Sequence, residues 1–309
     1  MVMYSSQIAE SSTKKTVSLI LGSGGARGLA HIGVIQYLEE YDYDIQFISG
    51  SSMGALIGGV YATGKLDEFT KWFTGLSKTD LLSLADIAWE RSGLIKGDKL
   101  FGQLNEMLGN PNIEELNIPF TAVATDIDNE REVWLQKGSL LEAIRASIAL
   151  PMIFTPVHRH GRTLIDGGVL NPIPIAPTFG QTNDLTIAVN LGGKSQKIDK
   201  QESAEDEERK ASWLNSVSDF FEGVKQRILP KDSDSNTPFN WDMYDVSNKA
   251  FDSMQSSLAR QKIAAYPPDI LIEISRDACG MLEFNQAKQM IALGYQTAKD
   301  IMQDNQEKN

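Results

Sequence analysis

Gly50-Ser51-Ser52-Met53-Gly54 decides how this chain is read, because of what flanks it. Before it runs an apolar, strand-like segment (Ile45, Phe47, Ile48), and after it a helix-like one from Ala55 to Ala62. In that context G-x-S-x-G predicts a sharp strand-to-helix turn that lifts the central serine clear of the sheet, with a helix N-terminus behind its hydroxyl. Strand and helix nearly touch at such a bend, so the residues two before and two after must be small, and Gly50 and Gly54 fill those places. Ser52, rather than Ser51, is the candidate nucleophile.

Working upstream, Gly22-Ser23-Gly24-Gly25-Ala26-Arg27-Gly28 also follows a strand-like run (Val17 to Leu21) and opens a helix (Leu29, Ile32, Gly33, Ile35, Leu38). Acyl transfer needs N–H donors aimed at a developing oxyanion, and consecutive glycines let the main chain approach without a Cβ in the way. Gly24 and Gly25, with the N–H of Met53 after the serine, are the candidate oxyanion hole. Alone, G-x-S-x-G also arises in ordinary turns. Joined to a second strand–turn–helix unit that offers donors, it points to nucleophilic acyl chemistry.

Composition narrows the classes. A chain of 309 residues can bury a substantial core in one large domain or two smaller ones. With 29 basic against 41 acidic side chains, the net charge of −12 sets nucleic acid aside as a partner and argues against strong electrostatic attachment to anionic lipid. Shallow hydrophobic contact with a membrane stays open. Cys279 is the single cysteine, which excludes an internal disulfide and a Cys-rich metal site. Only three histidines (His31, His158, His160) leave little for a zinc centre. Lys14-Lys15 and the apolar run to Leu21 are too short for a signal peptide and read as the approach to a core strand.

From Thr16 to Gly64 the alternation of strand, loop and helix predicts parallel strands with functional loops at their carboxyl ends. Residues 65–110 read as helices, with Leu66, Phe69, Trp72, Phe73 and Leu76 at core spacing. Pro119 to Thr125 is a buried strand with Arg131 to Leu135 beside it, and Ser139 with Glu142 suggests a capping box opening a helix to Leu150. A hairpin (His158 to Leu164) leads to Asp166-Gly167-Gly168, and Asn171-Pro172 reads as the cap and first-turn proline of a further helix. After the strand Leu185 to Leu191, residues 194–212 turn acidic and polar, an expected mobile loop. Trp213, Val217, Phe220, Phe221, Val224 and Ile228 share one face of an amphipathic helix, either packed on the domain or serving as a lid or lipid contact. A helix from Asp242 to Ala265, a strand from Asp269 to Ile274 and a helix from Asn285 to Met302 close the chain.

A serine hydroxyl needs a base. His31 lies one turn beyond the glycine loop with no carboxylate placed to orient it, so a packing or hydrogen-bonding role is expected. His158 and His160 belong to a polar hairpin. Asp166 ends a short apolar run and precedes two glycines that free the backbone to expose it; a carboxylate at a tight turn equally serves to cap its own backbone. Spacing leaves both readings standing.

The glycine loop, the serine elbow and Asp166-Gly167-Gly168, in this order, resemble the patatin-like phospholipases. Arg91-Ser92-Gly93-Leu94-Ile95-Lys96-Gly97, Ala143-Ile144-Arg145-Ala146-Ser147 with Pro151, and Asn171-Pro172-Ile173-Pro174 are similar to the bacterial branch related to neuropathy target esterase. The resemblance covers about Val17 to Gly192. It implies an α/β class fold, three-layer α/β/α, with a mostly parallel central sheet, and a Ser–Asp dyad hydrolysing acyl esters of lipids by way of an acyl-enzyme. Ser52 is then the nucleophile and Asp166 the base, while Gly24, Gly25 and Met53 form the oxyanion hole. Gly22, Ser23, Arg27, Gly28, Gly50, Gly54, Gly167 and Gly168 support these motifs. Ser23 stands where many members carry glycine; a serine there still offers an N–H, which implies altered loop stiffness rather than lost activity. The expected organisation is a flexible N-terminal segment (1–14), a patatin-like catalytic core (15–193), the acidic loop (194–212) and a helical lid or cap region with the final strand and helix completing the core (213–309).

Dinucleotide binding by the glycine loop is disfavoured, since Arg27 stands where that fingerprint wants glycine or alanine and the second strand ends in a serine elbow rather than an acidic residue. The remaining alternative is a non-catalytic regulatory or interaction protein on the same scaffold. The hydrolytic reading requires no cofactor or metal. It implies a lipid or acyl-ester substrate. A cytoplasmic protein is the default expectation; a peripheral place at the membrane, transient membrane-surface contact and a homodimer are all open.

Overall fold

A computed structural model describes residues 14–84, 96–151, 153–194 and 241–307. Apart from Lys14 and Lys194, the expected N-terminal segment and acidic loop lie outside these residues, as do the helix from Trp213 to Ile228 and positions 91–95 of the Arg91–Gly97 motif. The chain divides into two units, Met1–Lys194 with Asp252–Asn309, and Ser195–Phe251. Of the second, only 241–251 are described, as the opening turns of a helix.

The first unit is built on one sheet. Its strands are β1 (Thr16–Leu21), β2 (Asp44–Ser51), β3 (Phe120–Asp126), β4 (Arg131–Leu135), β5 (Val157–Arg159), β6 (Arg162–Asp166), β7 (Leu185–Gly193) and β8 (Ile270–Ser275). They run β5-β6-β3-β2-β1-β7-β8, with β4 also on β3. β1, β2, β3, β7 and β8 pair in parallel, as expected for strands that read as continuous apolar runs buried on both faces. β4 and β6 are antiparallel to β3.

The helices are α1 (Ala30–Glu40), α2 (Met53–Ala62), α3 (Leu66–Gly75), α4 (Lys78–Leu84), α5 (Asp98–Leu108), α6 (Leu140–Ser147), α7 (Trp241–Ala265) and α8 (Ala287–Glu307). Alternate side chains of β1 serve opposite faces. Leu19 and Leu21 join the core made with Ile32 and Ile35 of α1, Ile57 of α2 and Met290 of α8. Ile20 joins Ala188, Ile173, Ile175 and Ala259 of α7 on the other side. Three α/β/α layers result. Among the described residues, no helix is long and apolar enough to cross a membrane.

Two local expectations fail for identifiable reasons. Asn171-Pro172 opens no helix: Asn171 is fully buried and spends its side-chain amide on Glu132 instead of capping, while the Pro172 carbonyl accepts the Ser23 N–H at 2.8 Å. The stretch runs irregularly to a 3-10 turn at Ala176–Thr178, forming a wall behind the glycine loop. α6 ends at Ser147 rather than Leu150: Pro151 has no N–H to return to the Ser147 carbonyl, and the Ala149 carbonyl accepts the Asp166 N–H at 2.9 Å instead. Its N-cap is half of the expected box. Ser139 accepts from the Glu142 N–H, but the Glu142 carboxylate faces Arg159 at 4.0 Å.

The register of β3 positions everything that follows. β2 pairs with Phe120–Val123, β4 with Ala122–Asp126 and β6 with Ala124–Asp126. A strand has two edges, and β4 overlaps both of the others, so β2 and β6 must share the remaining edge, end to end. Ser51 sits opposite Val123, and Asp166 opposite Ala124, the very next residue.

Candidate active site

At the end of β2 the chain turns through Ser52, whose φ of 55° and ψ of −123° put a non-glycine residue in strained territory before α2 begins. The bend is tight enough to dictate its neighbours. A methyl group on Gly54 would overlap the Leu21 carbonyl, and one on Gly50 would strike the Gly54 carbonyl. The Ser52 N–H is held by Ser147 Oγ at 2.9 Å, and the same hydroxyl donates to the Val123 carbonyl, so α6 ties the turn to β3. Ser147 lies in the Ala143–Ser147 motif, yet nothing in the sequence marked it as an elbow support. Replacing it with alanine removes the buried partner of the Ser52 N–H. The expected result is a loss of about 1–3 kcal/mol in unfolding free energy, read from urea midpoints.

Asp166 closes β6 at 1% exposure, while Ser52 is 7% exposed. Ser52 Oγ donates to Asp166 Oδ2 at 2.5 Å, and Asp166 Oδ1 accepts the Gly168 N–H at 2.7 Å. One oxygen of this carboxylate therefore caps its own turn while the other faces the serine. Burial pushes its pKa up to about 7, against the lowering effect of the two hydrogen bonds. Gly167 packs on the Val123 carbonyl and Gly168 against Ser23, which seats the Asp-Gly-Gly turn on the glycine loop.

Gly22–Gly28 follows β1 and continues into a 3-10 turn, Gly25–Leu29. Gly22 donates to the Val189 carbonyl at 3.0 Å, Ser23 to Pro172, and Ala26 to the Met281 carbonyl at 2.8 Å. Among the described residues, no acceptor takes the N–H of Gly24, Gly25 or Met53. Gly25 has a φ of +57°. Gly28 packs directly on the Met53 side chain, so the loop and the elbow are in contact. Arg27, 3% exposed, donates Nε to the Gly24 carbonyl at 3.1 Å.

His31 is fully buried, and its Nε2 donates to the Gly22 carbonyl at 2.8 Å. Burial drives its pKa down to about 4, opposed by that bond, so the ring is neutral near pH 7. It braces the loop, as its place in the first helix suggested. His158 and His160 lie on the β5–β6 hairpin, which turns through His160 and Gly161, both at positive φ.

The fold and its strained turn define a class: α/β hydrolytic folds organised around a serine elbow. Within that class the chain belongs to the patatin-like phospholipase family, whose profile matches residues 19–179. It has the patatin fold and is a lipid acyl hydrolase. An uncharacterised NTE family protein of Mycobacterium tuberculosis (strain ATCC 25618 / H37Rv) is 40% identical over 338 aligned positions, spanning 94% of this chain and 92% of that one. Lysophospholipase NTE1 of Coccidioides immitis (strain RS) is 27% identical across 93% of this chain and 18% of its own length. Patatin-like phospholipase domain-containing protein 6 of Mus musculus is 27% identical, across 96% of this chain and 21% of its own.

Proposed function

We propose that Ser52 and Asp166 form a catalytic dyad with which this chain hydrolyses acyl esters of phospholipids or lysophospholipids. The observation that carries the reading is the 2.5 Å hydrogen bond from Ser52 Oγ to a buried carboxylate. A free aspartate, with a pKa near 3.9, is a feeble base at neutral pH. Burial raises Asp166 to about 7, where it can take a proton and return it.

Asp166 accepts the hydroxyl proton as Ser52 Oγ attacks the ester carbonyl. The negative oxygen of the tetrahedral intermediate faces the unclaimed N–H groups of Gly24, Gly25 and Met53. Collapse expels the alcohol, protonated by Asp166, and leaves an acyl group on Ser52. Water, deprotonated by the same carboxylate, then cleaves that ester. The lysophospholipase name of the fungal relative supports a single-chain or headgroup-bearing substrate. Such a substrate resides in a bilayer or micelle, so the reading entails transient contact with a lipid surface.

Only the ionised form of Asp166 can act as the base, so kcat/KM is expected to rise through an apparent midpoint near pH 7 and to fall about tenfold per unit well below it. A stopped-time assay from pH 5 to 9 reads this directly. Labelling by a fluorophosphonate, followed by peptide mapping, tests the nucleophile; modification elsewhere with Ser52 untouched would overturn the reading. Phosphatidylcholine vesicles, lysophosphatidylcholine, a diglyceride and an acyl thioester, compared side by side, rank the substrates.

A further inference from the structure

We infer that Asp252 and Gln255, on α7, are positioning residues for the oxyanion loop. The inference rests on the dyad reading above. A loop rich in glycine has little shape of its own, because each glycine has many accessible conformations. What gives this one a shape is Arg27. Its guanidinium, with a side chain only 4% exposed, donates Nε to the Gly24 carbonyl at 3.1 Å, one Nη to the Arg276 carbonyl at 2.8 Å and the other to Asp252 Oδ1 at 2.8 Å.

The Gly24 carbonyl and the Gly25 N–H belong to one rigid peptide plane and point in opposite directions. Holding the carbonyl on Arg27 therefore aims the Gly25 N–H the other way. That N–H has no acceptor among the described residues, which suits a donor kept for an oxyanion. Among the described residues, Asp252 alone places a carboxylate on the Arg27 guanidinium, and so neutralises a charge buried beside the loop. One turn further along α7, Gln255 Nε2 donates to Ser23 Oγ at 3.1 Å from a buried position. The two contacts grip the loop on either side of Gly24. Both residues lie more than 70 positions beyond the segment matched by the family profile, which ends at 179.

The test uses the full-length chain, p-nitrophenyl butyrate and a fluorophosphonate probe, with every rate normalised to folded protein by circular dichroism. Misaligned oxyanion donors slow the chemical step without weakening ground-state binding. Asp252→Ala is expected to lower kcat by about 10–100-fold with KM within about twofold, and to slow phosphonylation in parallel. Gln255→Ala should lower kcat by about 3–10-fold, a smaller effect because a neutral hydrogen bond is lost and no charge is left unpaired. Asp252→Asn keeps an oxygen on the Arg27 Nη and should recover most of the loss. The midpoint of the pH profile should stay at its wild-type value in all three, since the Ser52–Asp166 pair is untouched. Wild-type kcat in folded Asp252→Ala, or a shifted midpoint, overturns the inference; if that variant does not fold, an unchanged kcat in Gln255→Ala does so. Ser52→Ala separates the two levels: turnover surviving there overturns the dyad, whereas a dead Ser52→Ala beside fully active α7 variants overturns the positioning role alone.

Discussion

Ester turnover by the Ser52→Ala variant is expected to fall by at least about 10⁴-fold, with the fold unchanged. The substitution removes one oxygen. It keeps the Cβ, the strained φ of 55° and the N–H held by Ser147. The adjacent hydroxyl, that of Ser51, offers no replacement. Ser51 is fully buried, and its Oγ has no hydrogen-bond partner. Near-ultraviolet circular dichroism matching wild type, together with loss of fluorophosphonate labelling, would assign the defect to chemistry. Activity within tenfold of wild type would remove Ser52 from the reaction.

Asp166→Asn is expected to lower turnover by about 10²–10⁴-fold, the usual contribution of a general base, and to make the protein more stable. Asparagine is close in shape to the protonated acid and can serve the same neighbours, Oδ1 taking the Gly168 N–H and Nδ2 donating to Ser52 Oγ. The stability gain depends on pH, and its sign follows from proton linkage. In the folded protein Asp166 has a pKa of about 7, above the roughly 3.9 of an unfolded chain. Between those values the native state binds the proton and the unfolded state does not, so wild-type stability contributed by this group is complete below about pH 4 and is lost as pH rises to about 7. Asparagine carries no such term. Melting temperatures should diverge across that window, with the variant higher, and then run parallel above it. A variant less stable than wild type at pH 8 would contradict the buried, proton-holding environment.

The serine turn and the glycine loop were legible because each is a local device. Small residues at fixed offsets between a strand pattern and a helix pattern encode a bend within seven residues or fewer. The Ser52–Asp166 contact was not legible in that way. It is made 114 residues apart by the register of β3, and spacing left Asp166 between cap and base; the coordinates give it both contacts. The Asn171-Pro172 pair misled because a cap signature is local, whereas the Glu132 carboxylate that captures Asn171 lies 39 residues away. Hardest to foresee was the grip on the loop from α7. The hydrogen bonds from Arg27 to Asp252 and from Gln255 to Ser23 span 225 and 232 residues, and neither Asp252 nor Gln255 sits in a motif. Sequence patterns report what a segment does to itself; these contacts depend on where the sheet delivers it.

The end-to-end seating of β2 and β6 along a single edge of β3 bears on when during synthesis this chain can first cut a lipid. On the proposed Ser52–Asp166 dyad, a ribosome-borne fragment that already displays the serine turn lacks its base until residue 166 has emerged and zipped alongside. Loop-bracing partners arrive later still, at residues 252, 255 and 276. On that reading, a polypeptide that stops short of residue 166 carries the serine turn without its proposed base.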